Sequence, residues 1–183
     1  HRLVPEMNPA FQIHQGLQRF GIDLVFDVGA NAGQFGKDLR WMGYRGRIVS
    51  FEPLSSAHAQ LVQTAHGDAA WSVHQRCAVG DRDGAVSINL AGNSVSSSLL
   101  PMTQAHETAA RSSAYVGTEQ VPLARLDSVV GAYLNGAGAP FLKIDTQGFE
   151  WAVLDGARML LPRLRGVLCE LSLVHLYEGQ HLW

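Results

Sequence analysis

The residues best suited to chemistry occur where an apolar segment ends in a carboxylate and then turns through two glycines. Residues 26–35 read FDVGANAGQF, in which Asp27, Gly29 and Gly33 carry the pattern. Glycine lets the backbone bend tightly and approach a ligand, and a helix that begins after the bend aims its first amides at that ligand. A second acid, Glu52, follows at close to the spacing of about 20 residues at which a βαβ unit presents a carboxylate to ribose hydroxyls. These residues predict a nucleoside site.

The glycine spacing argues against a dinucleotide. A pyrophosphate site needs G-x-G-x-x-G, whereas Asn31 and Gln34 occupy the positions of its second and third glycines. Asp27 would repel a pyrophosphate but suits the ammonium and sulfonium groups of S-adenosylmethionine, whose carboxylate we expect against the amides of the bend. A purely structural strand end is the alternative, because Asp-x-Gly turns occur in many α/β proteins. The combined spacing, with Glu52 included, favours the cofactor site.

A second polar group ends another apolar segment, in FLKIDTQGFE over residues 141–150. Strand alternation places Lys143 and Asp145 on the same side of that segment. Ligands of open α/β sheets bind beyond the carboxyl ends of the strands, so acids at four such ends should converge on one crevice. Those acids are Asp27, Glu52, Asp145 and Glu170. Singly, Asp145 is more often a helix cap and Lys143 a surface lysine, but their shared position favours function.

A parallel sheet is needed to bring these residues together. Apolar segments typical of strands alternate with helical patterns, which predicts an α/β fold with a doubly wound, mostly parallel sheet covered on both faces. The predicted strands are Leu24 to Val28, Ile48 to Phe51, Ser72 to Cys77, Phe141 to Ile144 and Val167 to Leu171. The predicted helices are Gln34 to Met42, Ser55 to Ala65 with Ser55 as its cap, Leu126 to Leu134 and Glu150 to Leu160.

The chain of 183 residues suits a single domain over residues 1–183, with residues 1–22 as a helical lead-in. Between residues 84 and 123 the alternation breaks into two short strands, Ala85 to Asn89 and Gln120 to Leu123. Between them lies the Ser-rich stretch Asn93 to Ser98. This insertion is a candidate acceptor-binding loop, although a flexible linker fits the serine-rich composition equally well.

The two ends of the chain suggest a fragment. There is no initiator Met, and the sequence stops at Trp183 shortly after the fifth main strand. We therefore expect truncation at the C-terminus, with Val167 to Leu171 left as an unpaired apolar edge of the sheet.

Composition excludes several classes of partner. The net charge is −2, from 14 basic and 16 acidic residues, with no basic patch to bind nucleic acid. No apolar stretch approaches the roughly 20 residues of a membrane span. Cys77 and Cys169 lie far apart in apolar settings, which indicates two buried thiols and a cytoplasmic protein. Classical zinc spacing is absent, because His106 and Glu107 are not followed by the second His of H-E-x-x-H.

Six segments, in order, carry a family resemblance: VFDVGANAGQFG, SFEP, AVGDRDG, SSSLL, FLKIDTQGFEWAVLDGA and ELSLVHLYEGQ. The chain resembles the FkbM family of S-adenosylmethionine-dependent methyltransferases over about residues 23–180. The resemblance implies the methyltransferase type of Rossmann-like sheet, whose final hairpin is absent here. It also implies methylation of hydroxyl groups, often on sugars of glycolipids and other glycoconjugates or on macrolide rings.

By position, the resemblance assigns the bend to the methionine part of the cofactor, Glu52 to the ribose and residues 77–79 to the adenine. The residues so assigned to S-adenosyl-L-methionine are Asp27, Gly29, Asn31, Gly33, Glu52, Pro53, Cys77, Ala78 and Val79.

Methyl transfer to an alcohol needs alignment of oxygen, methyl and sulfur, and a group that relieves the oxygen of its proton. Asp145 is the first candidate for this base, with Lys143 positioning it and Glu170 as a second carboxylate. His175 is the alternative base, although a lone His is more often structural. The two carboxylates would also suit Mg²⁺, and the sequence does not decide between these roles.

Two other functions remain open at this point. A non-catalytic nucleoside-binding or regulatory domain would need Asp27 and Glu52 but neither Asp145 nor Glu170. A nicotinamide dehydrogenase is disfavoured by Asn31 and the missing glycines. The sequence leaves the acceptor, the methylated position, the activity of a truncated chain and the oligomeric state open.

Overall fold

The computed structural model describes residues 9–92, 96–103 and 113–182. Eight strands are found in these ranges: β1 (Leu24–Val28), β2 (Arg47–Phe51), β3 (Trp71–Val73), β4 (Ala78–Val79), β5 (Gly84–Ala91), β6 (Tyr115–Ala124), β7 (Pro140–Ile144) and β8 (Gly166–Cys169). The α-helices are α1 (Pro9–Arg19), α2 (Gln34–Trp41), α3 (Ser55–Ala65), α4 (Leu126–Val129) and α5 (Glu150–Asp155). Two 3₁₀ turns, Gly131–Tyr133 and Leu161–Arg163, complete the regular structure.

The central sheet has the order β3-β2-β1-β7-β8, and every neighbouring pair is parallel. This arrangement confirms the predicted Rossmann-like α/β fold. In β1 the residues alternate between the two faces. Phe26 packs in the core below α4 and α5, and Val25 packs in the core below α1, α2 and α3. Both faces are therefore covered, which explains why β1 is apolar except at Asp27.

The direction of chain progression reverses at β1, because β2 adds on one side and β7 on the other. In register, Val28 pairs with both Phe51 and Ile144, so the three strands end together at one edge. A crevice at such a switch point is where open α/β sheets bind ligands. The residues that follow these three strands are therefore in position to contact a ligand.

The insertion between the third and fourth main strands forms a second sheet, in the order β4-β6-β5. Strands β5 and β6 are antiparallel, and β4 pairs in parallel with the end of β6. Both predicted short strands are present but longer than predicted. The Ser-rich stretch lies partly outside the described residues, which resume at Ser96.

Four local predictions need correction. The strand predicted over Ser72 to Cys77 ends at Val73, because the chain leaves β2 there and residues 78–79 join the second sheet instead. The helix predicted over Glu150 to Leu160 ends at Asp155, because the backbone hydrogen bonds change there: Ala157 N donates to Leu154 O, three residues back, and the carbonyl of Gly156 accepts from Asp127 N instead.

The helix predicted over Leu126 to Leu134 divides into α4 and a 3₁₀ turn. Ser55 is not the cap of α3, because Leu54 takes that position without a side-chain cap and Ser55 Oγ donates to Glu119 instead. Among the described residues no strand pairs with the outer side of β8, as predicted, although β8 ends at Cys169 and its Val167 is exposed.

Candidate active site

A cavity of about 440 Å³ lies at the carboxyl ends of β1, β2 and β7. Its lining comes from the bend after β1 with the start of α2, from the segments after β2 and β3, from the loop after β7, and from Ile88, Ser97 and Leu99 of the insertion. The lining includes Gly29 and Asn31 from the bend after β1, and Lys143, Asp145 and Gln147 from the loop after β7. From the segments after β2 and β3 it includes Glu52, Pro53, Cys77, Ala78 and Val79. The volume lies in the ordinary range of small-molecule sites, roughly 300 to 1,000 Å³.

The bend after β1 is held in place by its neighbours. Gly29 has φ 74°, and a Cβ there would overlap the main-chain oxygen of Asp145. The carbonyl of Phe51 accepts hydrogen bonds from the amides of Gly29 and Ala30, both at 3.1 Å. A glycine is required at position 29 because the bend and the loop after β7 are in direct contact.

The amides of the bend are used within the protein. Asn31 N donates to Glu52 Oε2 at 2.8 Å, Ala32 N to the Asn31 side chain at 2.7 Å, and Gly33 N to the carbonyl of Ala30 at 2.8 Å. The sequence predicts a ligand carboxylate against these amides. In the structure every amide from Gly29 to Gly33 already donates within the protein, so none is free for that carboxylate. In this structure the bend instead orients Glu52.

Glu52 is the buried carboxylate of the cavity, with 4% of its surface exposed. Each of its oxygens accepts one backbone hydrogen bond, Oε2 from Asn31 N and Oε1 from Leu54 N at 2.9 Å. Burial raises the pKa of Glu52 to about 7, although the two amide donors oppose the rise. A carboxylate has about four acceptor positions, so two remain for hydroxyl groups of a ligand.

Asp27 lies below the cavity and is not among its lining residues. It is fully buried, and the register places it between Ser50 and Lys143 on the neighbouring strands. Ser50 Oγ donates to Asp27 Oδ2 at 3.3 Å, and Lys143 Nζ lies 3.1 Å from Oδ1. Within the described residues Oδ1 accepts no hydrogen bond, so the Lys143 charge is its compensation.

Lys143 connects Asp27 to the cavity. Its Nζ donates to the carbonyl of Gly29 at 3.0 Å and lies 3.5 Å from Asp145 Oδ2. Burial alone would lower the pKa of Lys143, but the charges of Asp27 and Asp145 raise it above its usual value. Lys143 is therefore a permanent cation, able to orient a carboxylate but not to accept a proton.

Gly33 and Gly36 explain how α2 packs so closely on the sheet. Gly33 has φ 88°, and a Cβ there would meet Leu61 and Thr64 of α3, each at 3.0 Å. A Cβ at Gly36 would overlap the ring of Trp71. Gly36 therefore takes the packing role that a dinucleotide site gives to its third glycine, and the spacing pattern alone had not identified it.

Beyond β7, Asp145 and Glu170 are joined through one amide. Gln147 Nε2 donates to Asp145 Oδ1 at 2.8 Å and to Glu170 Oε2 at 3.0 Å. Partial burial, followed by the neighbouring carboxyls of Asp145 and Glu150, raises the pKa of Glu170 to about 7. The hydrogen bond from Gln147 opposes this rise. The sequence analysis had predicted both acids but not Gln147.

The structure brings most of the predicted site residues to the cavity. The lining includes Gly29, Asn31, Glu52, Pro53, Cys77, Ala78, Val79, Lys143 and Asp145. Asp27 and Gly33 lie behind the lining, and Glu170 reaches it through Gln147. His175 is exposed and outside the lining, so its position gives no support to its role as the alternative base.

The lining fits an adenosyl group on chemical grounds. Glu52 retains acceptor positions for two ribose hydroxyls. Next to it, the side chains of Phe51, Leu54 and Val79 provide an apolar wall of the kind that a purine ring needs. No three His, Cys, Asp or Glu side chains in the described ranges are grouped as metal ligands. Mg²⁺ binding stays an untested alternative.

None of the helices described is long and apolar enough to cross a membrane. Compared with known families, the chain matches the family described as "Methyltransferase FkbM domain" over residues 27–183. A comparison with curated proteins found no match. The family match covers most of the chain and confirms the resemblance drawn from the six sequence segments.

Proposed function

Because this chain belongs to the FkbM methyltransferase family, we propose that it transfers the methyl group of S-adenosylmethionine to a hydroxyl group of an acceptor. One observation carries the proposal: a single cavity contains Glu52 after β2 and Asp145 after β7. Strand β1 lies between them. Two strand spacings of about 4.8 Å separate their main chains by roughly 10 Å, which leaves room for a ribose at one end and a reacting hydroxyl at the other.

At the cofactor end, Glu52 would accept hydrogen bonds from both ribose hydroxyls, and residues 77–79 would lie along the adenine. When bound, S-adenosylmethionine supplies an electrophilic methyl group on its sulfonium. Asn31 N and Leu54 N fix the Glu52 carboxylate in one orientation before any ligand enters. Preorganisation of this kind avoids an ordering cost on binding.

At the other end, Asp145 would accept the proton of the acceptor hydroxyl. Its side chain is 41% exposed, which gives a substrate access, and Lys143 holds one of its oxygens from below. Because Lys143 stays protonated, it orients Asp145 and offsets the negative charge of the site. Glu170 stands behind Asp145, through Gln147, as a second carboxylate.

The acceptor we propose is a sugar hydroxyl of a glycolipid or glycoconjugate, or a hydroxyl of a macrolide-type secondary metabolite. This class rests on the resemblance of the six sequence segments. We place the reaction in the cytoplasm, because both Cys77 and Cys169 are free thiols.

Incubation with methyl-labelled S-adenosylmethionine and an extract of lipids and glycans tests this function. We expect the label in an alkali-stable methyl ether of the acceptor, formed about 10² to 10⁴ times more slowly when Asp145→Asn replaces the wild-type protein. Binding of S-adenosylhomocysteine without transfer to any acceptor would instead favour the non-catalytic nucleoside-binding domain. Protection by NAD rather than by S-adenosylhomocysteine would overturn the cofactor assignment.

A further inference from the structure

Gln147 has a left-handed backbone conformation, which is uncommon for a residue with a side chain. Its φ is 55°, and Gly148 beside it has φ 99°. A strained residue of this kind persists when its surroundings fix it, and such residues concentrate at functional sites. The conformation of Gln147 is therefore expected to be fixed by its contacts.

Three hydrogen bonds fix the main chain around Gln147. Glu150 Oε1 accepts hydrogen bonds from Thr146 N at 2.9 Å and from Gly148 N at 3.1 Å. Ser98 Oγ donates to the carbonyl of Gln147 at 2.6 Å, and Ser98 is itself 1% exposed. The loop is thus held by the helix that follows it and by the SSSLL segment, far away in the sequence.

The side chain of Gln147 is fixed as well, and its amide can point in one direction only. Ionised carboxylates accept hydrogen bonds and cannot donate them, so the amide nitrogen must face Asp145 and Glu170. The amide oxygen then faces the hydroxyl of Tyr177, which lies 3.2 Å away and also reaches the carbonyl of Ser96 at 3.3 Å. The two carboxylates therefore set the orientation of the amide, and a Tyr177 hydroxyl that donates to Gln147 Oε1 supports it.

Tyr177 is placed by its own segment. It is 1% exposed, and it packs so closely on Gly148 that a Cβ there would lie 2.9 Å from its ring. Gln180 Oε1 accepts hydrogen bonds from Leu176 N at 3.0 Å and from Tyr177 N at 3.3 Å. The YEGQ segment therefore folds around Gln180 and delivers one hydroxyl to Gln147.

From this convergence of three segments on one side chain, we infer that Gln147 is a positioning residue. Its amide, supported by Tyr177, holds Asp145 and Glu170 as one hydrogen-bonded pair beside the cavity. The inference rests on the proposed function, because it assigns that pair to the acceptor, and it adds the device that keeps both carboxylates in place.

Charged and titratable groups from every neighbouring element face this pair. They are Lys143 on β7, Glu150 on α5, Cys169 on β8 and Tyr177. The segment 96–103 contributes none. Against the negative groups, the hydrogen bond from Gln147 lowers the pKa of Glu170 and so favours its ionised form. Without it Glu170 would hold a proton more tightly, beside the carboxylate proposed as the base.

Carboxyl titrations followed by NMR test the inference without any assay of activity. In Gln147→Met, which keeps the length of the side chain and removes both donors, we expect the apparent pKa of Glu170 to rise by about 1 unit. In Tyr177→Phe we expect a smaller rise, because the amide keeps both donors and loses only the hydrogen bond to its oxygen. Tyr115→Phe is the matched control, since its hydroxyl donates to the carbonyl of Leu100 and not to Gln147.

The isosteric Gln147→Glu provides a second variant should the methionine variant not fold. It places a third carboxylate beside the pair, so we expect a larger rise in the pKa of Glu170 and a kcat about tenfold lower at pH 8. A rise in the pKa of Glu170 that is larger in Gln147→Glu than in Gln147→Met is a titration signature that a merely structural role would not produce.

An unchanged Glu170 titration in both Gln147 variants would overturn the inference. A Tyr177→Phe titration identical to that of Tyr115→Phe would overturn the supporting role of the hydroxyl. If the titrations behave as expected while the wild-type protein transfers no methyl group, the proposed function fails and the positioning role of Gln147 stands. The two failures are therefore distinguishable.

Discussion

The two ends of the cavity are built in different ways. At the cofactor end, Glu52 is buried and its oxygens are held by main-chain amides from residues within about 21 positions in the sequence. At the acceptor end, Asp145 is 41% exposed and is held by side chains, Lys143 on one side and Gln147 on the other. Gln147 in turn depends on segments up to 49 positions away.

This difference has a functional meaning. A main-chain framework is insensitive to most substitutions and suits a ligand that never changes, whereas a side-chain network is easily altered and suits an acceptor that differs between enzymes. Of the four predictions below, one concerns the acceptor end, one the contact between the two ends, and two the cofactor end.

The largest effect is expected from Asp145→Asn, which removes the base and keeps the shape of the side chain. Turnover at saturating cofactor should fall by about 10² to 10⁴, the usual contribution of a positioned base. Affinity for S-adenosylhomocysteine, measured by calorimetry, should stay within about twofold, since the substitution leaves Glu52 untouched. Asp155→Asn, which affects an exposed pair with Arg158, is the control. Near-normal turnover would reassign Asp145 to structure.

Gly29→Ala should affect both ends at once, because position 29 is where they touch. The added Cβ would overlap the carbonyl oxygen of Asp145, and the alanine would also have to adopt a positive φ. We expect a loss of more than about 2 kcal/mol in the free energy of unfolding, measured with urea. Gly43→Ala is matched, since it also has a positive φ of 97° but nothing within 4 Å of a new Cβ. Equal losses in the two variants would show that the contact carries no strain.

Glu52→Ala should affect the cofactor end alone. Loss of hydrogen bonds to a charged group should weaken binding of S-adenosylhomocysteine by about 1.5 to 3 kcal/mol. Calorimetry of Asp145→Asn under the same conditions provides the comparison. Unchanged affinity in Glu52→Ala would remove the ribose assignment.

The smallest effect concerns pH. In the free protein the pKa of Glu52 is raised to about 7, so the carboxyl is increasingly protonated below that pH and loses acceptor positions. Affinity for S-adenosylhomocysteine should therefore fall as the pH is lowered from 8 to 6, approaching tenfold per unit at the acid end. Glu52→Gln should bind more weakly and show no such dependence. A wild-type affinity that is constant over this range would contradict the raised pKa.

The contrast between the two ends also explains what the sequence reveals. The fold, Glu52 and the bend follow from apolar segments and spacings within one βαβ unit, which is local information. Asp145 and Lys143 were found because they end a strand. Gln147 and Tyr177 lie in two of the six family segments, but the sequence analysis gave neither a role. Their contacts join distant segments, which no local pattern encodes. The sequence did not predict the role of Gly36 for a similar reason: Gly36 lies on α2, and the Trp71 ring against which it packs lies on β3.

Asp27 shows what a local pattern leaves open. The spacing predicts a role at the site, and the structure buries Asp27 beside Lys143, beneath the cavity rather than in its lining. A sequence pattern gives the position of such a residue, whereas the direction of its side chain depends on the register of the neighbouring strands.

A crystal structure of the complex with S-adenosylhomocysteine tests the central claim most directly. We expect both ribose hydroxyls within about 3.2 Å of the Glu52 carboxylate, the adenine beside residues 77–79, and the sulfur directed toward the Asp145 end of the cavity. A nucleoside bound away from Glu52, or a ribose bound at Asp145, would contradict the division of the cavity into a cofactor end and an acceptor end.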